Sequence, residues 1–163
     1  MSPSALPAPV TIRPARPTDA AVVIDFNLRL AWETEHRRLD PGVLGAGVAA
    51  VLADIRKGVY FVAEAGGGSG GEPARVVGQC SVTYEWSDWR NGDFWWLQSV
   101  YVDADWRRQG VFRALFDHVR AAAVASRAAG LRLYVEENNV SAQATYRRHG
   151  MHPTAYRVFE IEF

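Results

Sequence analysis

The segment from Val100 to Arg113 reads V-Y-V-D-A-D-W-R-R-Q-G-V-F-R, a strand pattern running into a glycine-bearing turn that opens a helix. The first turn of a helix carries four N–H donors without intrahelical partners and roughly half a positive charge. Such a turn can hold a diphosphate largely with its backbone, and Arg107, Arg108 and Arg113 add charge at its mouth. Gly110 has no β-carbon to obstruct close approach. A plain helix start with solvated arginines is the structural alternative for this segment alone. A second polar stretch, Asn138-Asn139-Val140-Ser141-Ala142-Gln143-Ala144-Thr145-Tyr146 and then Gly150-Met151, follows directly on the strand pattern Leu131 to Val135. Its spacing is N-x-x-A-x-x-x-Y-x-x-x-G-M. Taken alone, Tyr146 there is a core aromatic on an amphipathic helix.

These turns need a sheet to hold them. Val10 to Arg13 predicts a short strand, after which Thr18 can cap a helix with Val23, Phe26 and Leu30 at helical spacing, ending near Arg37. Asp40-Pro41 starts a second helix, whose face is Leu44, Val48, Val51, Leu52 and Ile55 as far as Gly58. Val59 to Glu64 and Val76 to Trp86 alternate as strands, joined through the glycine-rich run Gly66 to Gly71, which reads as a hairpin turn. Asn91-Gly92 is a tight hairpin signal before the strand Asp93 to Val102. A helix from about Gln109, with Phe112, Leu115, Phe116 and Val119 on one face, stops at Gly130. Leu131 to Val135 is a strand, Asn138 or Asn139 to His149 a helix, and Tyr156 to Phe163 a final strand. The order describes one mixed α/β sheet, antiparallel early and parallel across the helix that follows Val102.

At 163 residues the chain has room for one domain, 10–163, behind a tail at 1–9 that carries three prolines and neither the basic nor the apolar region of a signal peptide. Apolar residues (48%) and charged residues (22%) are those of a soluble globular chain able to bury a core. The net charge of +0 removes the long-range positive field behind non-specific nucleic-acid binding, so any anion must be held locally. The longest uncharged run, 41–53, carries three glycines and falls short of the ~18 to 20 residues of a membrane span. Cys80, the single cysteine, excludes an internal disulfide, reads as a buried core thiol and suits a reducing cytoplasm. The four histidines show no pairing that supports a metal site or a nucleophile triad.

Together, R-x-x-G-x-F at Arg107 to Phe112 and the Asn139-to-Tyr146 spacing resemble the GCN5-related N-acetyltransferase (GNAT) superfamily, with its Q/R-x-x-G-x-G/A signature after the fourth strand and its Asn-to-Tyr helix after the fifth. The resemblance implies a largely antiparallel twisted sheet of six to seven strands flanked by four helices. It implies acetyl-CoA as co-substrate, without a metal. Val100 and Val102 would offer backbone groups to the pantetheine arm, and the turn Arg107, Arg108, Gln109, Gly110, Val111, Phe112, Arg113 would hold the pyrophosphate. Asn139, with Ala142 a turn away, would contact the cofactor arm, and Tyr146 would face the departing sulfur. Phe112 stands where the family has Gly or Ala, which is tolerable if the ring points into the core.

The fourth strand reads F-W-W-L-Q-S-V where several family members carry a catalytic Glu, and Gln98 can position a water but cannot take a proton. Glu85, on the polar face of the preceding strand, is the first candidate for the base, followed by Glu33 and Glu35 at the end of the first helix. Trp32, Tyr84 and Gln98 join these carboxylates as candidate walls of the acceptor site. Five of six tryptophans fall between Trp86 and Trp106. They suit either an organic amine, by cation-π contact, or a homodimer interface or cover for the sheet. The function expected is direct attack of a primary amine on acetyl-CoA. The alternatives are transfer of another acyl group or to another acceptor, and a non-catalytic acyl-CoA sensor or scaffold of the same fold.

Overall fold

The computed structural model describes residues 10–67 and 73–163. The tail at 1–9 and residues 68–72 of the expected glycine hairpin lie outside them. Contacts divide the chain into two compact units, Met1–Leu133 and Tyr134–Phe163.

The first unit holds strands β1 (Val10–Pro14), β2 (Val59–Ala65), β3 (Arg75–Ser87), β4 (Gly92–Val102) and β5 (Gly130–Leu133), with helices α1 (Ala20–Glu35), α2 (Pro41–Ala53) and α3 (Val111–Ala125). The strands lie side by side in chain order, antiparallel from β1 to β4 and parallel between β4 and β5. The second unit contains α4 (Val140–Arg148). Four helices and a largely antiparallel sheet match the expectation, but the sheet has five strands among the described residues, not six to seven. Residues 156–163 form no strand. Their pattern sets apolar Val158 beside apolar Phe159, so neither face is cleanly apolar, and alternation records strand propensity without supplying a partner.

Alternation along β2 and β3 explains which helix covers which face. Val23 of α1 and Val48 of α2 form a core with Tyr60 and Val62 of β2. The residues between point the other way: the Phe61 ring meets His118 of α3 with centroids 5.0 Å apart. On that second face Val111, Leu115, Phe116 and Val119 of α3 are buried with Cys80, Val82 and Leu97. Gly78 sets how closely α3 can approach, because a β-carbon there would stand 3.1 Å from Val111 Cγ1 and 3.2 Å from the Tyr101 carbonyl oxygen. The first turn of α3 therefore rests directly on the sheet.

Several boundaries differ from the sequence expectation. Asp19, not Thr18, precedes α1, after a short 3-10 turn at Pro17–Asp19. The second helix ends at Ala53 and leaves Ile55 exposed, since the Asp54 carboxylate accepts from both the backbone and the side chain of Arg56 and offers the chain a competing turn. α3 ends at Ala125 rather than at Gly130, which instead opens β5 against the ring of Phe94. Among the described residues no helix is long and apolar enough to cross a membrane.

Replacing Gly78 by valine should force α3 off the sheet and lower the unfolding free energy by about 1–3 kcal/mol, the usual range for overpacking. Chemical denaturation of the two proteins checks this, and an unchanged midpoint would mean that the contact with Val111 is not tight.

Candidate active site

β4 is paired unequally on its two sides. β3 accompanies it from Gly92 to Val102, whereas β5 accompanies it only from Phe94 to Leu97. Asp103 donates its N–H to the Val77 carbonyl (2.9 Å), so in the alternating antiparallel ladder Asp103 and Tyr101 turn their backbone groups toward β3. Val100 and Val102, opposite Cys80 and Gly78, must then turn theirs to the other side, where no described strand pairs with them. Between these stretches β4 carries an extra residue: Cys80 faces Val100 but Val82 faces Leu97. This bulge bends β4 where β5 leaves it. An extended ligand could add to that edge as a strand does.

The turn after β4 is built by Asp103. Its carboxylate accepts from the Asp105 N–H (3.2 Å), Arg75 binds it at 3.1 Å and Arg29 lies 3.9 Å away. Arg29 and Arg75 also line a groove of about 350 Å³ with Asp25 and Asp103, two cations against two anions, so the groove has little net charge with which to attract an ion. Gln109 closes the turn by donating to the Asp105 carbonyl (2.6 Å). Arg108 (φ 61°) and Gly110 (φ 84°) both lie in the left-handed region. α3 opens with no capping side chain, and its first main-chain bond runs from Ala114 N–H to the Gly110 carbonyl (2.9 Å). A β-carbon on Gly110 would meet nothing within 4 Å, so the space before the helix is open and of a kind that fits a phosphate. Phe112 packs on Phe116, ring centroids 6.0 Å apart, as its departure from the usual small residue requires.

Arg107 does not spend its guanidinium on that space. Its Nη2 binds Glu33 Oε2 of α1 (2.6 Å), and its Nε donates to the Val102 carbonyl (2.9 Å). Tyr101 donates its hydroxyl to Glu33 Oε1 (2.8 Å) and offers its ring to Arg107 at 5.3 Å. Partial burial pulls the Glu33 carboxyl upward, but the bonds from Arg107 and Tyr101 outweigh it and hold the group below the usual carboxylate range. Tyr101 is pushed up by burial and by the Glu33 charge.

Glu85 lies on the other stretch of the same sheet face. Its Oε2 accepts from the Trp96 indole N–H (2.5 Å) and its Oε1 from Arg132 Nη1 of β5 (3.0 Å). Arg132 stacks over the Phe94 ring at 3.6 Å, and Gln98 donates to Thr83 (3.0 Å). Glu33 and Glu85 thus each have an arginine partner. Tyr84 does not join them: one residue from Glu85 it points to the opposite face, where it packs edge-on against Trp95. Trp32 meets His36 and Arg38 at the end of α1, and Glu35 is exposed beside it. Cys80 is buried, its thiol pushed up to about 12 by burial, which makes it a poor nucleophile.

Asn139, Ala142 and Tyr146 belong to the second unit. The Asn139 carboxamide oxygen accepts from Ala142 N–H (3.0 Å) and caps α4, leaving its NH2 group to donate elsewhere. Burial raises the Tyr146 phenol above its ordinary value. Tyr101, Asp103, Thr83, Gly78 and Arg132 escaped sequence reading. Only Asp103 carried a local signal, an Asp at a strand end two residues before a turn.

An open-edged strand running into an uncapped helix start is the arrangement of an acyl-group transferase. The Acetyltransferase (GNAT) family model matches residues 28–151, and the chain belongs to this family. No curated protein matches the chain. The crystal structure of a possible acetyltransferase from Clostridium difficile 630 is 44% identical, covers 94% of this chain and 97% of its own, and superposes with a TM-score of 0.86. An aminoglycoside N-acetyltransferase, AAC(6')-Iy, solved in complex with CoA, is 15% identical over 99% of both chains with a TM-score of 0.75. The ribosomal-protein-alanine N-acetyltransferase from Brucella melitensis biovar Abortus 2308 is 17% identical over 95% of this chain and all of its own, with a TM-score of 0.72. The last two share the fold.

Gly110→Asp should weaken CoA binding at least about tenfold, since it sets bulk and a negative charge before the helix start. Gly110→Ala should cost mainly about 1–2 kcal/mol of stability from the left-handed backbone. Titration calorimetry on the folded variants separates the two effects, and unchanged affinity in Gly110→Asp would move the phosphates elsewhere.

Proposed function

We propose that residues 10–163 form one cytoplasmic acetyltransferase domain that moves the acetyl group of acetyl-CoA to a small primary amine. The observation that carries this reading is the open space before the uncapped start of α3, set beside the unpaired edge of β4. Acetyl-CoA supplies an acetyl group already activated as a thioester. Backbone N–H groups of the 108–113 turn, with Arg108 and Arg113, bind its diphosphate, and the backbone of Val100 and Val102 holds its arm in extended form. The part of Asn139 in cofactor binding rests on the family's motif alone.

The chain's remaining task is to move protons. The amine must lose one as its nitrogen bonds to the acetyl carbon, and the sulfur must gain one as the C–S bond breaks. Glu85, held by Trp96 and Arg132, accepts the first through water. Tyr146, whose phenol burial raises, is the residue that the family's motif assigns to protonating the sulfur. Full transfer from a phenol near ~10 to a thiolate near ~8.5 is uphill by about 2 kcal/mol, and a raised phenol makes it steeper, so the hydroxyl assists during departure rather than before it. A lysine-like amine of pKa ~10.4 costs about 4.6 kcal/mol to deprotonate at pH 7, and an α-amine near ~8 about 1.4 kcal/mol. With no carboxylate in the middle of β4, the cheaper amine is the better acceptor. Glu33 and Glu85 each face an arginine, so a polycationic acceptor such as an aminoglycoside finds little uncompensated negative charge.

Release of free CoA thiol across a panel of amines tests this. Small amines of lowered pKa should turn over fastest, ahead of lysine peptides and aminoglycosides; acyl-CoA binding without turnover on any amine would instead favour a sensor. Tyr146→Phe should lower kcat by about 10²-fold or more with little change in KM for acetyl-CoA. Glu85→Gln should depress the neutral-pH rate and recover as pH rises toward the pKa of the amine, and a wild-type profile in that variant removes Glu85 as the base.

A further inference from the structure

We propose that Glu33 is a positioning residue for the cofactor half of the site: acting through Arg107 it fixes the Val102 carbonyl and the start of the phosphate turn, tying α1 to cofactor binding. The inference rests on the acetyl-CoA reading above and assigns Glu33 a role other than that of a base.

The chain of contacts is continuous. Glu33 stands in the last turn of α1, and its two oxygens go to different partners, Oε1 to the Tyr101 hydroxyl (2.8 Å) and Oε2 to Arg107 Nη2 (2.6 Å). The same guanidinium donates through Nε to the Val102 carbonyl (2.9 Å). That carbonyl faces the unpaired edge of β4, and a carbonyl oxygen has two acceptor sites. Arg107 occupies one and leaves the other for a donor on an extended ligand. Arg107 also immediately precedes Arg108, the first left-handed residue of the phosphate turn. Its guanidinium is anchored at three points: the Glu33 carboxylate, the Val102 oxygen and the Tyr101 ring. Without Glu33, a long flexible cation at the mouth of the turn would lose its charged anchor, and the Val102 carbonyl its fixed neighbour.

The base role is the rival, and the same contacts argue against it. Both Glu33 oxygens are spent on the groups that carry the cofactor edge, Tyr101 of β4 and Arg107 of the turn, so a Glu33 that took a proton would release the Arg107 anchor.

Glu33→Gln isolates the charge, because the amide oxygen can still accept from Tyr101. We expect its Kd for CoA, measured by calorimetry, to rise about fivefold, the upper end for an exposed charge pair, with kcat at saturating acetyl-CoA and its pH profile unchanged. The double variant Glu33→Gln/Arg107→Gln should bind CoA no more weakly than Arg107→Gln alone, since Glu33 acts through Arg107. An unchanged Kd in folded Glu33→Gln, fully additive losses in the double variant, or a kcat loss that recovers at high pH would each overturn the proposal. Wild-type protein that fails to bind CoA would remove the acetyl-CoA reading and this inference together, whereas wild-type binding with an indifferent Glu33→Gln removes this inference alone.

Discussion

The backbone of β4 has one edge paired along its length except at the bulge and one that is paired over only four residues. Half-buried Val100 and Val102 turn N–H and C=O groups to the open edge beyond β5, where water or an extended ligand must pair with them. The bulge opposite Ser81 directs the strand away from β5 at that point, and Arg107 already meets part of the demand at Val102. The rest of that edge is open, and the strand that carries it runs on into the turn before α3.

The turn before α3 depends on packing that lies beneath it. Gly78 admits Val111 onto the sheet, and Phe112 and Phe116 fill the space beside it, so α3 presents its N-terminus at a fixed height above the end of β4. Asp103, nearly buried, is held by Arg75 and approached by Arg29, and it shapes the residues in between. The open space at Gly110 therefore lies between the end of β4 and the packed start of α3. Glu85 and Arg132, by contrast, are partly exposed, and Trp89 at the hairpin tip is 89% exposed.

Charge is distributed with the same economy. Glu33 faces Arg107, Glu85 faces Arg132, Asp103 faces Arg75 and Asp25 faces Arg29. The zero net charge of the sequence is thus matched locally across this half of the molecule. Arg108 and Arg113 stand at the phosphate turn, and Arg113 also lies 3.5 Å from Asp117 one turn along α3. Surface pairs of this kind add little stability and lose force with salt.

Sequence alone determined what local physics controls. Helix stripes such as Phe112, Leu115, Phe116 and Val119, the alternation along β3, a hairpin near Asn91 and the glycine at the start of α3 were readable, because each involves residues within a turn or two of one another, although the hairpin loop is 88–91 and Gly92 already pairs with Ser87 in β4. The order of elements and the glycine-bearing turn before α3 followed from these. Pairings across long stretches of chain were decided only by the tertiary structure. Tyr101 and Glu33 are 68 residues apart, and nothing near either announces the other. Glu85 looked like a free carboxylate until β5 brought Arg132 beside it, and Tyr84 looked like its neighbour until the pleat placed the two on opposite faces. The strand expected at 156–163 failed for the same reason. A residue's period tells which way its side chain points, but a strand exists only where another backbone lies alongside, and only the folded chain decides which backbone that is.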